Sequence, residues 1–155
     1  MKRTRLKAKD FNKELEQAAY SVKFSKKDSI ERIEDKDNNL KIISVNKVPA
    51  FFYYEERLIP TIKFLHTKPE FLKTVTVDMG AIKFVVSGAD IMRPGIMEYN
   101  QLITEGEIIA IIDERNKMVI CVGISLLDAS VIKEQEKGKS VKNIHYVGDE
   151  IWKFS

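Results

Sequence analysis

The chain has 155 residues, of which 44% are hydrophobic and 32% charged, with only 7 Gly and 4 Pro, a composition that argues against disorder. Its longest nearly unbroken apolar stretch, residues 118–127, is about half of the roughly 20 residues that a membrane-spanning helix needs, and no charged-then-apolar leader opens the sequence, so we expect a soluble cytoplasmic protein with no membrane contact. The net charge of +3 is unevenly distributed, because residues 1–73 carry 17 Lys and Arg against 11 Asp and Glu, whereas residues 74–155 carry 9 against 12.

The first part of the chain opens with a basic segment and a helix. Five of the first nine residues are basic, and this segment can either neutralise phosphates or form a frayed, solvated terminus. Apolar residues from Phe11 to Val22 recur with helical spacing, and Asp10 is the expected N-cap. Three strand-like runs follow, at residues 29–33, 40–45 and 50–54, and they predict a small antiparallel sheet.

Residues 51–54 are four consecutive aromatic residues within the last of these strands. Alternation along a strand directs two of them to each face of the sheet. One outward pair can serve a partner protein. Alternatively, the strand is covered on both faces, including by a neighbouring domain.

A domain boundary is expected near residues 67–73, where Pro69 disfavours helix in its predecessor. We therefore divide the chain into an amino-terminal domain, residues 1–72, and a second domain, residues 73–155. The second domain begins with a β-branched strand. A helix should follow it, with Asp78 as the cap and Gly88 as the exit, over residues 80–87.

The remainder is rich in strands, with one further short helix at residues 128–136. A small sheet with two short helices suits a closed or partly closed barrel, since closure hides strand edges. The predicted fold class is α+β: a small α+β domain, then a pseudo-barrel of mostly antiparallel strands. The later strands are expected at residues 89–92, 107–113, 117–126, 141–147 and 150–154.

Few residues suit catalysis or metal binding. Cys121 is the single cysteine and lies in an apolar run, which predicts a buried, unreactive thiol. His66 and His145 have neither a metal-ligand spacing nor a nucleophile–base motif around them. The segment Gly138-Lys139-Ser140 lacks the earlier glycine of a phosphate-binding loop, because Lys133 stands there. We expect no catalytic residue, no metal and no cofactor.

Residues 75–96 carry the most specific motif. It combines Asp78-Met79-Gly80-Ala81, an amphipathic turn, Gly88-Ala89 and then Pro94-Gly95-Ile96. This stretch resembles the opening of a PUA domain, the fold of pseudouridine synthases and archaeosine transglycosylases. The fold that the resemblance implies is an amino-terminal pre-PUA domain followed by a PUA domain.

Two further segments, residues 120–124 and 141–152, resemble the translation-machinery branch of that group, the malignant T-cell amplified sequence (MCT-like) factors. The similarity covers residues 74–155. Over residues 1–73 it is looser and rests mainly on residues 59–65.

The resemblance implies a non-catalytic factor that binds RNA, either tRNA or rRNA of the small ribosomal subunit, in initiation, re-initiation or recycling. It also implies a separate protein partner with a domain of the SUI type. Two alternatives stand beside it: an RNA-recognition subunit of an RNA-modifying enzyme, and a protein-interaction adaptor that uses the aromatic run.

In the family, the first helix, the following strand and the last strand face the RNA. Small residues at a helix start admit a phosphate but also permit tight packing. Arg93 can grip a phosphate or stack on a base, or it can pair internally with Asp90 or another carboxylate. Ser87 and Gly88 can form an ordinary helix stop. Lys153 can be an exposed residue opposite two core aromatic residues. The expected RNA-binding residues are Gly80, Ala81, Lys83, Ser87, Gly88, Met92, Arg93, Pro94, Gly95 and Lys153.

Overall fold

The computed structural model describes residues 1–154 and contains two sheets. The half that holds the first sheet, residues 2–67, is called the first module. Its sheet is an antiparallel meander in chain order, accompanied by α1 (Ala8–Gln17) and α2 (Ile62–Thr67). The five strands are β1 (Lys2–Leu6), β2 (Ile30–Asp35), β3 (Leu40–Val45), β4 (Val48–Tyr54) and β5 (Arg57–Pro60).

The half that holds the second sheet, residues 74–153, is called the second module. Its strands are β6 (Thr74–Val77), β7 (Ile91–Met92), β8 (Ile96–Tyr99), β9 (Ile108–Asp113), β10 (Val119–Ser125) and β11 (Lys139–Tyr146). They form a nearly closed pseudo-barrel in the order β7-β11-β10-β9-β6-β8, in which only β6 and β9 pair in parallel. The helices are α3 (Ile82–Val85), α4 (Ala129–Glu134) and α5 (Glu150–Lys153), with 3-10 turns at Met79–Ala81 and Arg93–Gly95.

The amino-terminal segment differs from its expectation. The basic segment is not frayed, because Lys2, Arg3 and Arg5 lie in β1, which pairs along its whole length with β2, and Lys9 lies in α1. Lys2 and Arg5 lie directly opposite Glu34 and Glu31, so acidic residues on β2 face this basic strand. The helix begins at Ala8 rather than after Asp10 and ends at Gln17.

The prediction of a strand at residues 150–154 is wrong. Residues 150–153 form α5, so the second module has three short α-helices instead of two. Asp149 caps the helix, since its Oδ1 accepts the backbone N–H of Trp152 at 2.8 Å. The alternation of Trp152 and Phe154 gives the period of a strand, but the capping aspartate begins a turn of helix.

Strands β9 and β10 are buried on both faces. Ile109, Ile111 and Cys121 lie in the core of the barrel, whereas Ile108 and Val122 belong to the core of the first module. The strand period of two therefore divides one apolar run between two cores. Burial raises the pKa of the Cys121 thiol well above its usual value, which keeps it protonated and unreactive, as expected.

The aromatic run is covered on both faces. Phe51 packs against Phe11 of α1 with ring centres 5.7 Å apart, and Phe52 packs against His145 of β11 at 5.3 Å. Tyr53 hydrogen-bonds Glu14 of α1. The outward aromatic pair proposed for a protein partner is thus enclosed by α1 and the second module.

His145 joins the two modules. Its Nε2 accepts the backbone N–H of Ile62, at the start of α2, at 3.1 Å, and its Nδ1 lies 2.9 Å from Oδ2 of Asp149. The histidine is 1% exposed, and its two ring nitrogens connect the start of α2 with Asp149.

None of the helices formed by residues 1–154 has both the length and the apolar character needed to cross a membrane.

Candidate nucleic-acid interface

A surface concavity of about 710 Å³ opens beside α3 in the second module. It is called the α3 concavity, and its lining comes from residues 77–95 and from Lys139. The first module contributes nothing to this lining, so the concavity is open rather than plugged by the neighbouring sheet. It brings together six of the predicted RNA-binding residues: Gly80, Ala81, Gly88, Met92, Pro94 and Gly95.

Two carboxylates organise the start of the helix. Asp78 caps it, since its Oδ1 accepts the N–H of Ala81 at 2.9 Å, as the sequence predicted. Glu114, from the turn after β9, accepts the N–H of Met79 at 3.0 Å. A phosphate that used these two backbone donors would have to displace both carboxylates. The N–H groups of Met79 and Ala81 therefore contribute little to anion binding here.

Close packing accounts for two of the glycines. Gly88 ends the helix with φ +96°, and a Cβ there would lie 3.2 Å from the ring of Tyr146. A Cβ on Gly95 would lie 3.2 Å from the Cβ of Ala81. The first glycine is required by its backbone conformation and the second by the neighbouring turn.

Lys83 and Ser87 lie next to the concavity but outside its lining. Both are exposed on α3 and its exit, and Oγ of Ser87 donates to the carbonyl of Lys83 at 2.7 Å. The Nζ of Lys83 lies 5.1 Å from the ring centre of Phe84. The ammonium group is therefore held beside the one aromatic ring of the lining.

Arg93 is directed away from the concavity. Its Nε donates to the carbonyl of Ile132 at 2.8 Å and its Nη1 to the carbonyl of Ile96 at 3.3 Å, while the guanidinium lies over the ring of Tyr99. These contacts tie the turn after β7 to α4. The internal pair with Asp90 that the sequence left open is not formed, because Asp90 pairs with Lys139 instead.

Lys153 is not part of this surface. It lies on α5 rather than on a strand, and it lines a separate groove with Met1 and Leu40 of the first module. Its distance in the fold from α3 separates it from the other predicted residues.

Two lining residues of functional character were missed at the sequence level. Lys139 places its Nζ 3.1 Å from Oδ2 of Asp90, and its side chain is 62% exposed. Phe84 is 58% exposed although it is a phenylalanine in an amphipathic helix. An aromatic residue next to Lys83 on a four-residue helix is a detectable signal, whereas nothing near Lys139 in sequence indicates that β11 begins at this site.

The charge of Asp90 is maintained by its neighbours. Burial acts to raise the pKa of Asp90, but the backbone N–H of Asn143 and the ammonium of Lys139 outweigh burial and lower it. The carboxylate therefore remains ionised and keeps Lys139 in place at the rim.

The chemistry of the α3 concavity is that of binding. Phe84, Met92 and Pro94 give it an apolar surface, and Lys139 and the adjacent Lys83 add ammonium groups. An apolar surface with lysines at its edge suits an unpaired base together with its phosphates. Within residues 1–154, no three His, Cys, Asp or Glu side chains are grouped so as to hold a metal ion.

Two families match consecutive parts of the chain. Residues 73–147 match the PUA domain, and residues 5–68 match a domain of unknown function, DUF1947. Among solved structures, a conserved PUA domain protein from Thermoplasma acidophilum superposes with a TM-score of 0.81 at 26% identity, over 97% of each chain. The position of the domain boundary between residues 72 and 73 remains a prediction.

Curated relatives extend across both modules. An uncharacterized protein of Methanocaldococcus jannaschii is 44% identical over 76% of this chain and 72% of its own length. Translation machinery-associated protein 20 of Saccharomyces cerevisiae is 38% identical over 84% and 75%, and malignant T-cell-amplified sequence 1 of Rattus norvegicus is 36% identical over 82% and 71%. The chain therefore belongs to the family of PUA-domain proteins that includes translation machinery-associated protein 20 and malignant T-cell-amplified sequence 1.

Proposed function

We propose that this protein is a non-catalytic, cytoplasmic translation factor that binds structured RNA, either tRNA or rRNA of the small ribosomal subunit, through the α3 concavity. The observation that carries the proposal is the open concavity itself, which unites six residues predicted from the sequence and adds Phe84 and Lys139. The name of one relative, translation machinery-associated protein 20, supports a role in translation.

The shape and charge of the concavity favour RNA over a protein ligand. Its exposed ring can stack on a base, and stacking on an aromatic side chain is the common way in which proteins hold unpaired nucleotides. The carboxylates of Asp78 and Asp90 are each engaged by donors within the protein, which reduces their repulsion of phosphate.

The first module provides the positive charge that the second lacks. Residues 1–73 have a net charge of +6 and residues 74–155 a net charge of −3. We expect long-range attraction to RNA to come mainly from the first module, with contact at the α3 concavity. Binding of this kind weakens as salt rises, because phosphate neutralisation releases counterions.

A separate protein with a SUI-type domain is the proposed partner, and the small ribosomal subunit is the proposed place of action. Recovery of the tagged protein from cells tests both. Small subunits or a SUI-domain protein in the eluate support a translation factor. An RNA-modifying enzyme in their place would instead support a recognition subunit.

Filter binding to tRNA and to small ribosomal subunits tests RNA binding directly. We expect micromolar or tighter affinity that decreases as salt increases. Phe84→Ser should weaken binding by removing the stacking surface, about 1–3 kcal/mol for one base. Leu102→Ser is the matched control, since Leu102 is 74% exposed but does not line the concavity. Absence of salt-sensitive affinity for either RNA would end the proposal.

A further inference from the structure

One wall of the α3 concavity is the short segment from the last residue of α3 to the start of β7, residues 85–90. Four of these residues line the concavity, and Ala89 is exposed. The segment contains Gly88 at φ +96° and no strand pairing of its own. Its first residues are held by local backbone hydrogen bonds, from the N–H of Gly88 to the carbonyl of Val85 and from the N–H of Ala89 to the carbonyl of Phe84, at 3.1 Å each. Contacts from elsewhere in the fold add to these.

Asn143 of β11 contacts both ends of this segment. Its Nδ2 donates to the carbonyl of Val85 and to the carbonyl of Ala89, each at 2.9 Å. The backbone N–H of the same residue donates to Oδ1 of Asp90 at 3.0 Å. One residue thus holds three positions of the wall through three hydrogen bonds.

Only a side chain with two donors on one nitrogen makes this pair of contacts. Asparagine has that group, whereas aspartate of the same shape offers acceptors only and would place charge against two carbonyl oxygens. The Oδ1 of Asn143 is buried and has no hydrogen-bond partner within residues 1–154. The two N–H donors therefore account for the orientation of the amide, since the opposite orientation would point its oxygen at both carbonyls.

We infer that Asn143 is the positioning residue of the RNA site: it fixes the segment of residues 85–90 in the shape that lines the α3 concavity, without touching RNA. The expected effect on RNA binding rests on the proposed function, although the contact between Asn143 and the segment can be tested without RNA. The segment carries the required glycine and the carboxylate that holds Lys139, so its displacement alters the concavity and its ammonium group together.

The test compares Asn143→Asp and Asn143→Ala with Asn12→Ala. Asn12 is a matched control because its amide also makes two hydrogen bonds to a loop, both with Phe24 at 2.9 Å, but in the first module. Hydrogen exchange should accelerate about tenfold or more at residues 86–90 in the Asn143 variants only. Affinity for tRNA should fall about tenfold, and its salt dependence should become shallower by no more than the value of one phosphate contact, because displacement of the segment also moves Lys139.

Each outcome decides the inference. Unchanged exchange at residues 86–90 in both Asn143 variants overturns it, and so does faster exchange with unchanged tRNA affinity. If Asn143→Asp does not fold, Asn143→Ala provides the same comparison without a new charge. A wild-type protein that binds neither tRNA nor small ribosomal subunits overturns the proposed function, while the exchange measurement still decides whether Asn143 holds the wall.

Discussion

Lys83 and Lys139 are the two ammonium groups that we propose contact phosphate at the α3 concavity, one adjacent to its lining and one within it. Replacement of either by glutamine should weaken RNA binding and reduce the slope of log affinity against log salt by about 0.7–0.9, the value for one phosphate contact. Filter binding across a salt series measures both quantities. Lys36→Gln, in the exposed β2–β3 turn, should leave the slope nearly unchanged. Equal slopes for all three variants would remove these lysines from the site.

Gly123 illustrates a residue whose role is purely steric. A Cβ at this position would lie 2.5 Å from Cγ1 of Val141 and 2.8 Å from the carbonyl oxygen of Lys142. We expect Gly123→Ala to destabilise the protein by about 1–3 kcal/mol, measured by urea unfolding, since β10 and β11 must separate to accept the methyl group. Gly80→Ala should cost clearly less, because Gly80 is exposed and meets only a side-chain oxygen at 3.2 Å. Similar losses in the two variants would contradict this account.

At the scale of single elements, α5 depends on one aspartate. Asp149 accepts hydrogen bonds from the backbone N–H groups of Tyr146 and Trp152 and from Nδ1 of His145. Burial acts to raise the pKa of Asp149, but these donors outweigh it and lower the pKa below its ordinary value of 3.8. The carboxylate therefore stabilises the fold above that value, and its contribution disappears as pH falls through the lowered pKa.

Asp149→Ala should accordingly cost about 1–3 kcal/mol at neutral pH, because three donors lose their acceptor. The difference from wild type should narrow as pH falls below about 4, where the carboxylate of the wild type also becomes protonated. Urea unfolding at several pH values measures the difference. Asp37→Ala, in an exposed turn, should show little change at any pH. A difference for Asp149→Ala that persists unchanged into strong acid would contradict the assignment.

Helices and strands with one clear sequence pattern were predicted well. Segments in which two patterns favour different structures were not. The runs of β9 and β10 are long and apolar enough to indicate strands within one or two residues of their observed bounds. In residues 150–154, a strand-like alternation competed with a helix cap at Asp149, and the cap prevailed. Strand β8 was missed because its exposed Met97 and Glu98 interrupt the apolar pattern of an edge strand.

At the scale of the molecule, the two modules share a core. Residues from β9, β10 and α5 pack with those of α1 and the first sheet in one buried cluster. The link between His145 and Ile62 adds a buried hydrogen bond across the same interface. Separation of the modules would expose the outer face of β9 and β10, so we expect them to unfold together.

The single tryptophan allows a direct test of cooperative unfolding. Trp152 lies at the interface, 6.0 Å from His66 between ring centres, so its fluorescence reports the interface while circular dichroism reports both sheets. We expect coincident transitions in urea. Phe52→Ala should lower the free energy of unfolding that both probes report by about 3–5 kcal/mol. Val48→Ala should lower it little, because Val48 is half-exposed in the same strand. Two separate transitions would show that the modules are independent.

The sequence by itself determined the α+β class, five of the six strands of the barrel, the cap at Asp78, the exit at Gly88 and the motif of the PUA domain, because each depends on residues adjacent in the chain. The tertiary structure alone decided which contacts those residues make. Arg93 is held by carbonyls of Ile132 and Ile96, and Asp90 by Lys139, more than 40 residues later. Such pairings follow from how strands and helices pack, and local sequence carries no record of a partner that only packing brings near.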